Sequence, residues 1–253
     1  AMSGAQVAFI VPTTLLCSQH YENFTKRFKN FPLKVDQISR LNSTSENNKI
    51  IERINSGESD VVVGTHALLN SKIKFKKLGM LIIDEEQHFG VSQKEKIKSL
   101  RSNVHVLALT ATPIPRTLQM SLVGLRDLSI ISTAPLNRQN INTEVIDFND
   151  EKIISAIEYE LSRNGQVYYV CPRINELKEV EDFLKRKLPN VKYQIAHGQM
   201  PSKNLKNTMI DFYNNEFQLL LCTTIVESGL DLQKTNTMII HNSDKFGLSQ
   251  LYQ

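Results

Sequence analysis

The sequence predicts an α/β protein of two successive units, each a mostly parallel sheet flanked by helices, and three observations carry that reading. Apolar, β-branched runs of strand length alternate with segments of helical periodicity along all 253 residues. The alternation breaks once, over the polar stretch 133–150, and then restarts. Hydroxylated and acidic residues follow directly on the strand-like runs, where parallel α/β sheets place their ligands.

Taken in order, "AQVAFIV" (5–11) reads as a buried strand. In 14–28, Leu16, His20, Phe24 and Phe28 recur at four-residue spacing, which predicts a helix with one packed face; His20 is assigned no role beyond that face. "SENNKIIERINSG" (45–57) has a serine start, an apolar face and a glycine stop. "DVVVGT" (60–65), "LGMLIID" (78–84) and "HVLALTAT" (105–112) each predict a strand buried on both faces. "SKIKFKK" (71–77) reads either as a lysine-protected edge strand or as a phosphate-binding patch. The stretch 133–150 reads as a connection with one short strand candidate at 143–148, so the domains are expected at 1–137 and 138–253. Beyond it follow a helix (151–163), strand 166–171, helix 175–188, strand 191–198, helix 201–214, and strands 217–224 and 235–242. The last residues look like the first turn of another helix, and no short sequence repeat is evident.

Composition narrows the class. At 41% hydrophobic residues the chain can bury a core of ordinary size. Its three cysteines, Cys17, Cys171 and Cys222, stand far apart among apolar neighbours, a reduced pattern with neither a disulfide framework nor a zinc site. No apolar stretch has the length of a membrane span and no leader opens the chain, so a soluble cytoplasmic protein is expected. The net charge of +4 is uneven: residues 1–137 hold 17 Lys and Arg against 11 Asp and Glu, residues 138–253 hold 13 against 15. Such a balance permits a nucleic-acid partner without requiring one.

The strand ends carry the chemistry. "DEEQ" (84–87) follows a buried strand, and three adjacent carboxylates repel one another unless a cation or hydrogen-bond donors compensate. Asp84 suits a Mg²⁺ ion held through water, and Glu85 suits orientation or deprotonation of an attacking water; a solvated loop is the structural alternative. "PTT" (12–14), "GTH" (64–66) and "TATP" (110–113) read equally as helix caps or as backbone sites for phosphate. His66 and His197 are, taken singly, ordinary polar residues.

The series "PTTLLCSQ", "VGTHALL", "DEEQ", "TATPIPRT", "HGQM" and "CTTIVESGLDL", in this order and at these intervals, resembles the motifs of superfamily 2 helicases and translocases. Within that group "DEEQ-x-FGV", "GLRDLSII", "HGQM" and "KFGLSQLYQ" look most like the translocase module of transcription-repair coupling factors; the branch-migration helicase RecG shares much of the pattern. The resemblance covers nearly the whole chain and implies two RecA-like domains in tandem, with ATP and Mg²⁺ as cofactors. It further implies double-stranded DNA as the track, and RNA polymerase and excision-repair proteins as partners through regions outside this chain. Asp84 and Glu85 match the magnesium and hydrolytic-water pair, and Gln87 a nucleotide-sensing position. Thr110 and Thr112 match the motif coupling the ATP site to the DNA track. Pro12, Thr13, Thr65 and His66 match strand-backbone contacts of the first domain, Thr223 and Thr224 those of the second. Gly229 and Asp231 match the part that approaches the nucleotide. Two positions depart from the family: His88 replaces the usual arginine, and Gln233 a usual proline.

None of the ten glycines is followed by lysine, so no G-x-x-x-x-G-K-[ST] phosphate loop is present. Gln253 matches the first residue of the family's final arginine motif. The sequence therefore reads as an internal piece of a DNA-translocating ATPase, with both domains truncated, weak or no nucleotide binding, and no turnover of its own. The alternatives are a RecG-like branch-migration helicase and a non-catalytic α/β scaffold that binds DNA or protein. A two-domain dinucleotide enzyme lacks its G-x-G-x-x-G fingerprint.

Overall fold

The first apolar run forms β1 (Gln6–Ile10), and around it stand β2 (Val35–Ile38), β3 (Val61–Gly64), β4 (Leu78–Asp84) and β5 (His105–Leu109). All pair in parallel, in the order β2-β3-β1-β4-β5. The computed structural model describes residues 1–40, 42–86, 89–100, 104–110, 127–133, 141–224, 232 and 234–252. It separates into two units, Ala1–Ile114 and Pro115–Gln253. The expected boundary at 137/138 falls in 134–140, outside the described residues.

Helices α1 (Thr14–Arg27), α2 (Thr44–Ser56) and α3 (Val91–Leu100) complete the first unit. Successive β1 side chains go to opposite faces. Ala8 and Ile10 pack with Ile50, Ile54, Leu81 and Ile83, while Phe9 and Val11 pack with Leu16, Cys17 and Val63. Helix α2 starts one residue earlier than its Ser45 suggested. Ser43 is the cap and Glu46 closes a reciprocal capping box, with Gly57 at φ 85° ending the helix in the left-handed conformation only glycine adopts freely.

Three expectations need correction. Strand β5 is not buried: it pairs only with β4 among the described residues, and Val106, Leu107 and Leu109 stay more than a third exposed, on both faces. Residues 71–77 form no strand. Their alternation is real, with Ile73 and Phe75 against the core and the lysines outward. The partner, however, is a side chain of α2: Asn55 donates to the Lys72 carbonyl (3.1 Å) and accepts from the Lys74 N–H (2.7 Å). Residues 143–148 are likewise unpaired, with Val145 open to solvent. Asn149 there caps the next helix, and Phe148 packs edge-on against Phe183 and His241.

The second unit comprises α4 (Asp150–Ser162), β6 (Gln166–Val170), α5 (Ile174–Lys187), β7 (Tyr193–Ala196), α6 (Ser202–Tyr213), β8 (Leu219–Cys222), β9 (Thr235–Ile240) and the short α7 (Leu248–Tyr252). Its parallel sheet runs β7-β8-β6-β9, which repeats β2-β3-β1-β4 strand for strand. A structural repeat is thus present where the sequence displays none. It extends to detail, since both central strands open on a buried glutamine with a register shift at that residue. Gln6 donates to the carbonyls of Ile54 and Ser59, and Gln166 to those of Phe212 and Phe217. Two RecA-like α/β units in tandem are the fold.

Candidate functional site

Sheet order converts the scattered motifs into a row. Along the carboxyl edge of the first sheet stand Arg40 beyond β2, Thr65 and His66 beyond β3, Pro12 and Thr13 beyond β1, Asp84 and Glu85 at β4, and Thr110 beyond β5. The expected strand-backbone contacts therefore share one half of the edge and the expected hydrolytic residues the other.

On the hydrolytic half, Asp84 ends β4 opposite Leu109 of β5. Glu85 then takes φ 49°, a left-handed conformation that costs a non-glycine residue on the order of 1 kcal/mol or more and recurs at functional sites. The turn sends the two carboxylates apart. Glu85 is buried, its N–H donates to the Leu109 carbonyl (2.9 Å), and its carboxylate accepts from the Thr110 hydroxyl (3.1 Å). Asp84 stays partly open, with Oδ2 3.5 Å from Nε2 of His20. That imidazole is held against the rings of Phe9 and Phe24, at centroid distances of 4.7 and 5.9 Å. Sequence reasoning left His20 on a helix face. Its four-residue spacing showed that it packs but not that β4 lies beside β1.

The donor set suits Mg²⁺. That ion takes one or two protein carboxylates and completes its shell with water and substrate phosphates, and no cluster of three or more His, Cys, Asp or Glu forms a protein cage among the described residues. Asp84 and Glu86 are the partly exposed carboxylates of this turn, and Glu85 the buried one.

On the other half, the hydroxyls of Thr13 and Thr65 cap their helices, accepting from the N–H groups of Leu16 (3.3 Å) and Ala67 (3.4 Å). Thr13 is partly exposed, and Thr65 is buried. Gly64 pairs in register with Ile38, and a Cβ there would meet Leu68 Cγ at 2.5 Å and Ile38 Cγ2 at 2.7 Å. This close approach brings the ends of β2 and β3 together, where Arg40 Nη2 lies 3.1 Å from His66 Nε2. Burial, and then the Arg40 charge, lower the pKa of His66.

In the second unit Thr223 is buried just past β8, its N–H bonded to the Ala196 carbonyl (3.2 Å), and Thr224 is exposed beside it. Pro172 and Arg173 follow β6 as Pro12 and Thr13 follow β1, and Arg173 is exposed at the start of α5 with no cap bond from its side chain. At the adjoining end of β9, Glu176 is buried and held by Asn242 (2.9 Å) and Lys245 (3.1 Å). Burial opposes its charge, and these donors prevail, lowering its pKa. Gln87, Thr112, Gly229 and Asp231, with the departures His88 and Gln233, lie outside the described residues.

Comparison with known proteins agrees with this arrangement. The DEAD/DEAH box helicase family matches residues 1–121, and the helicase conserved C-terminal domain matches 150–253. The transcription-repair-coupling factor of Staphylococcus haemolyticus is 51% identical over 252 residues, and that of Rickettsia typhi 52% over 248. These alignments cover 100% and 98% of this chain, which spans 22% of either relative's length. Among solved structures, RecG bound to a three-way DNA junction superposes with a TM-score of 0.77 at 33% identity, over 99% of this chain and 34% of that one. Dbp5 of S. cerevisiae bound to RNA and ADP BeF3 (TM-score 0.71, 14% identity, 98% and 74% covered) shares the fold. The chain belongs to the superfamily 2 helicases and translocases, in the group that contains RecG and the transcription-repair-coupling factors.

Proposed function

We propose that these residues form the motor of an ATP-dependent double-stranded DNA translocase, one that displaces stalled RNA polymerase and couples transcription to excision repair in the cytoplasm. The observation that carries the motor reading is the pair of diverging carboxylates at the end of β4: Asp84 partly open, and Glu85 buried in a left-handed turn and held by Thr110. Asp84 holds Mg²⁺ through water, and the ion supplies charge neutralisation at the phosphates when bound. Glu85 orients the attacking water and takes its proton. Thr110, bonded to Glu85 and following the neighbouring strand, links that water to the strand-end row, together with Thr112. Gln87, Gly229 and Asp231 contact nucleotide. Pro12, Thr13, Thr65, Thr223 and Thr224, with His66, track the backbone of a duplex, so sequence preference is weak. Polymerase and repair proteins are engaged by other parts of the relatives' length.

With no phosphate loop among its residues, the 253-residue chain does not turn over ATP by itself. The test is hydrolysis with Mg²⁺, with and without duplex DNA, by this chain and by one extended with the relatives' flanking sequence. DNA-stimulated turnover by the extended chain alone is expected, and equal turnover by the short chain refutes the account. A branch-migration role is the second reading, supported by the superposition on junction-bound RecG. It requires the extended chain to unwind a three-way junction in preference to moving along plain duplex.

A further inference from the structure

The β2 end was not read as functional, yet it presents the exposed Arg40 in the row expected to face the DNA backbone. Among the described residues no carboxylate pairs with this guanidinium; its polar partner is His66, at 3.1 Å. The contact has a fixed direction. Arginine carries only donors, so Nε2 of His66 supplies a lone pair and the ring proton sits on Nδ1. Burial and the adjoining positive charge both favour that neutral ring.

The sheet itself enforces the pairing. Ile38 and Gly64 lie side by side in the β2–β3 ladder, and Arg40 and His66 each follow two residues later. The segment after β2 is tied down by Asn42, which donates to the Gln37 carbonyl (3.0 Å), and by Asn47, which donates to that of Ser39 (3.1 Å). Two strand spacings, about 10 Å, separate the end of β2 from the end of β1. That length matches the axial rise of roughly three base pairs of a duplex. Exposed Arg40 places a cationic side chain at the β2 end of that row.

We propose that Arg40 is a phosphate clamp on the DNA strand, and that His66 is a positioning residue which aims the guanidinium through Nε2 and does not itself touch the strand. The proposal rests on the reading of this edge as a DNA track, and it changes the expected role of His66 from contact to support.

Binding of a fluorescein-labelled duplex by the 253-residue chain, followed by anisotropy over a salt series, tests it. Arg40→Ala weakens binding equally for unrelated sequences and lowers the salt slope by about one. His66→Phe does the same, whereas His66→Gln, whose amide oxygen takes the place of Nε2, retains most of the affinity. The double variant Arg40→Ala/His66→Phe is no weaker than either single one. Additive losses, or failure of glutamine to rescue, overturn the positioning role, and an unchanged slope in Arg40→Ala overturns the clamp. If Arg40→Ala is neutral while Thr13→Val and Thr65→Val weaken binding, the clamp falls and the DNA track stands. Absence of salt-dependent binding by the unsubstituted chain removes both. Thermal melting of each variant separates lost contact from lost fold.

Discussion

Replacing Gln6 by methionine keeps length and approximate volume while deleting every polar atom of a side chain that ties three segments together. Gln6 donates to the Ile54 carbonyl near the end of α2 (3.0 Å) and to that of Ser59 before β3 (2.9 Å), and it accepts from the Lys77 N–H before β4 (3.0 Å). At about 1 kcal/mol for each buried hydrogen bond, the loss comes to about 3 kcal/mol. The Ile54 carbonyl retains the Gly57 N–H, so the groups left in want are the Ser59 carbonyl and the Lys77 N–H. Gln166→Met removes two such bonds, to Phe212 (2.7 Å) and Phe217 (3.1 Å), and the Phe212 carbonyl keeps the Asn215 N–H. About 2 kcal/mol is expected there. Native-state hydrogen exchange followed by mass spectrometry reads each unit separately. Strand amides of β1, β3 and β4 should exchange about a hundredfold faster in Gln6→Met, and those of β6 and β8 about thirtyfold faster in Gln166→Met. Changes below threefold, or changes confined to the other unit, refute the assignment of these glutamines as the pins of their sheets. Function is at stake too, because a one-residue slip of either central strand turns its side chains to the opposite face and displaces the residues at its carboxyl end.

Two further predictions concern ionisation. Glu160 is fully buried, and burial opposes its charge, but hydrogen bonds from Arg163, Thr237 and Asn236 win and lower its pKa. A carboxylate depressed on folding contributes stability above its unfolded value of about 4.3 and loses it as the pH falls through the folded value. Acid unfolding of the second unit should therefore be less steep in Glu160→Gln, though still present because Glu176 and Glu181 are also lowered; an unaltered pH profile of urea midpoints contradicts this. All three cysteines are buried, with the thiols of Cys17 and Cys171 pushed up to about 12 by burial and that of Cys222 raised further. Iodoacetamide at neutral pH should leave native protein unmodified and alkylate all three sites in urea, and rapid labelling of the native chain counts against these cores.

Element existence was legible because each element imposes its own period. The helices read at 14–28, 175–188 and 201–214 formed as Thr14–Arg27, Ile174–Lys187 and Ser202–Tyr213. What failed was whatever depends on a neighbour distant in sequence. Strand β2 went unread because Val35–Ile38 carries Asp36, a residue that argues against a buried strand. Asp36 is tolerated there because Arg53 and Ser59 bind its carboxylate. "SKIKFKK" had strand alternation but met Asn55 in place of a strand. The same limit governs the site. Motifs pointed to residues that end or follow strands, Asp84, Glu85, Thr65 and Thr13 among them, but chain order is silent on which ends are adjacent. The β2-β3-β1-β4-β5 order sets β1 beside β4 and β2 beside β3. That adjacency alone turns His20, on the helix after β1, toward Asp84, and Arg40 toward His66. Sheet order thus pairs residues conspicuous in sequence, Asp84 and His66, with residues that look incidental there, His20 and Arg40. A search for further supporting residues in this fold should therefore proceed across the sheet, strand by neighbouring strand, and not along the chain.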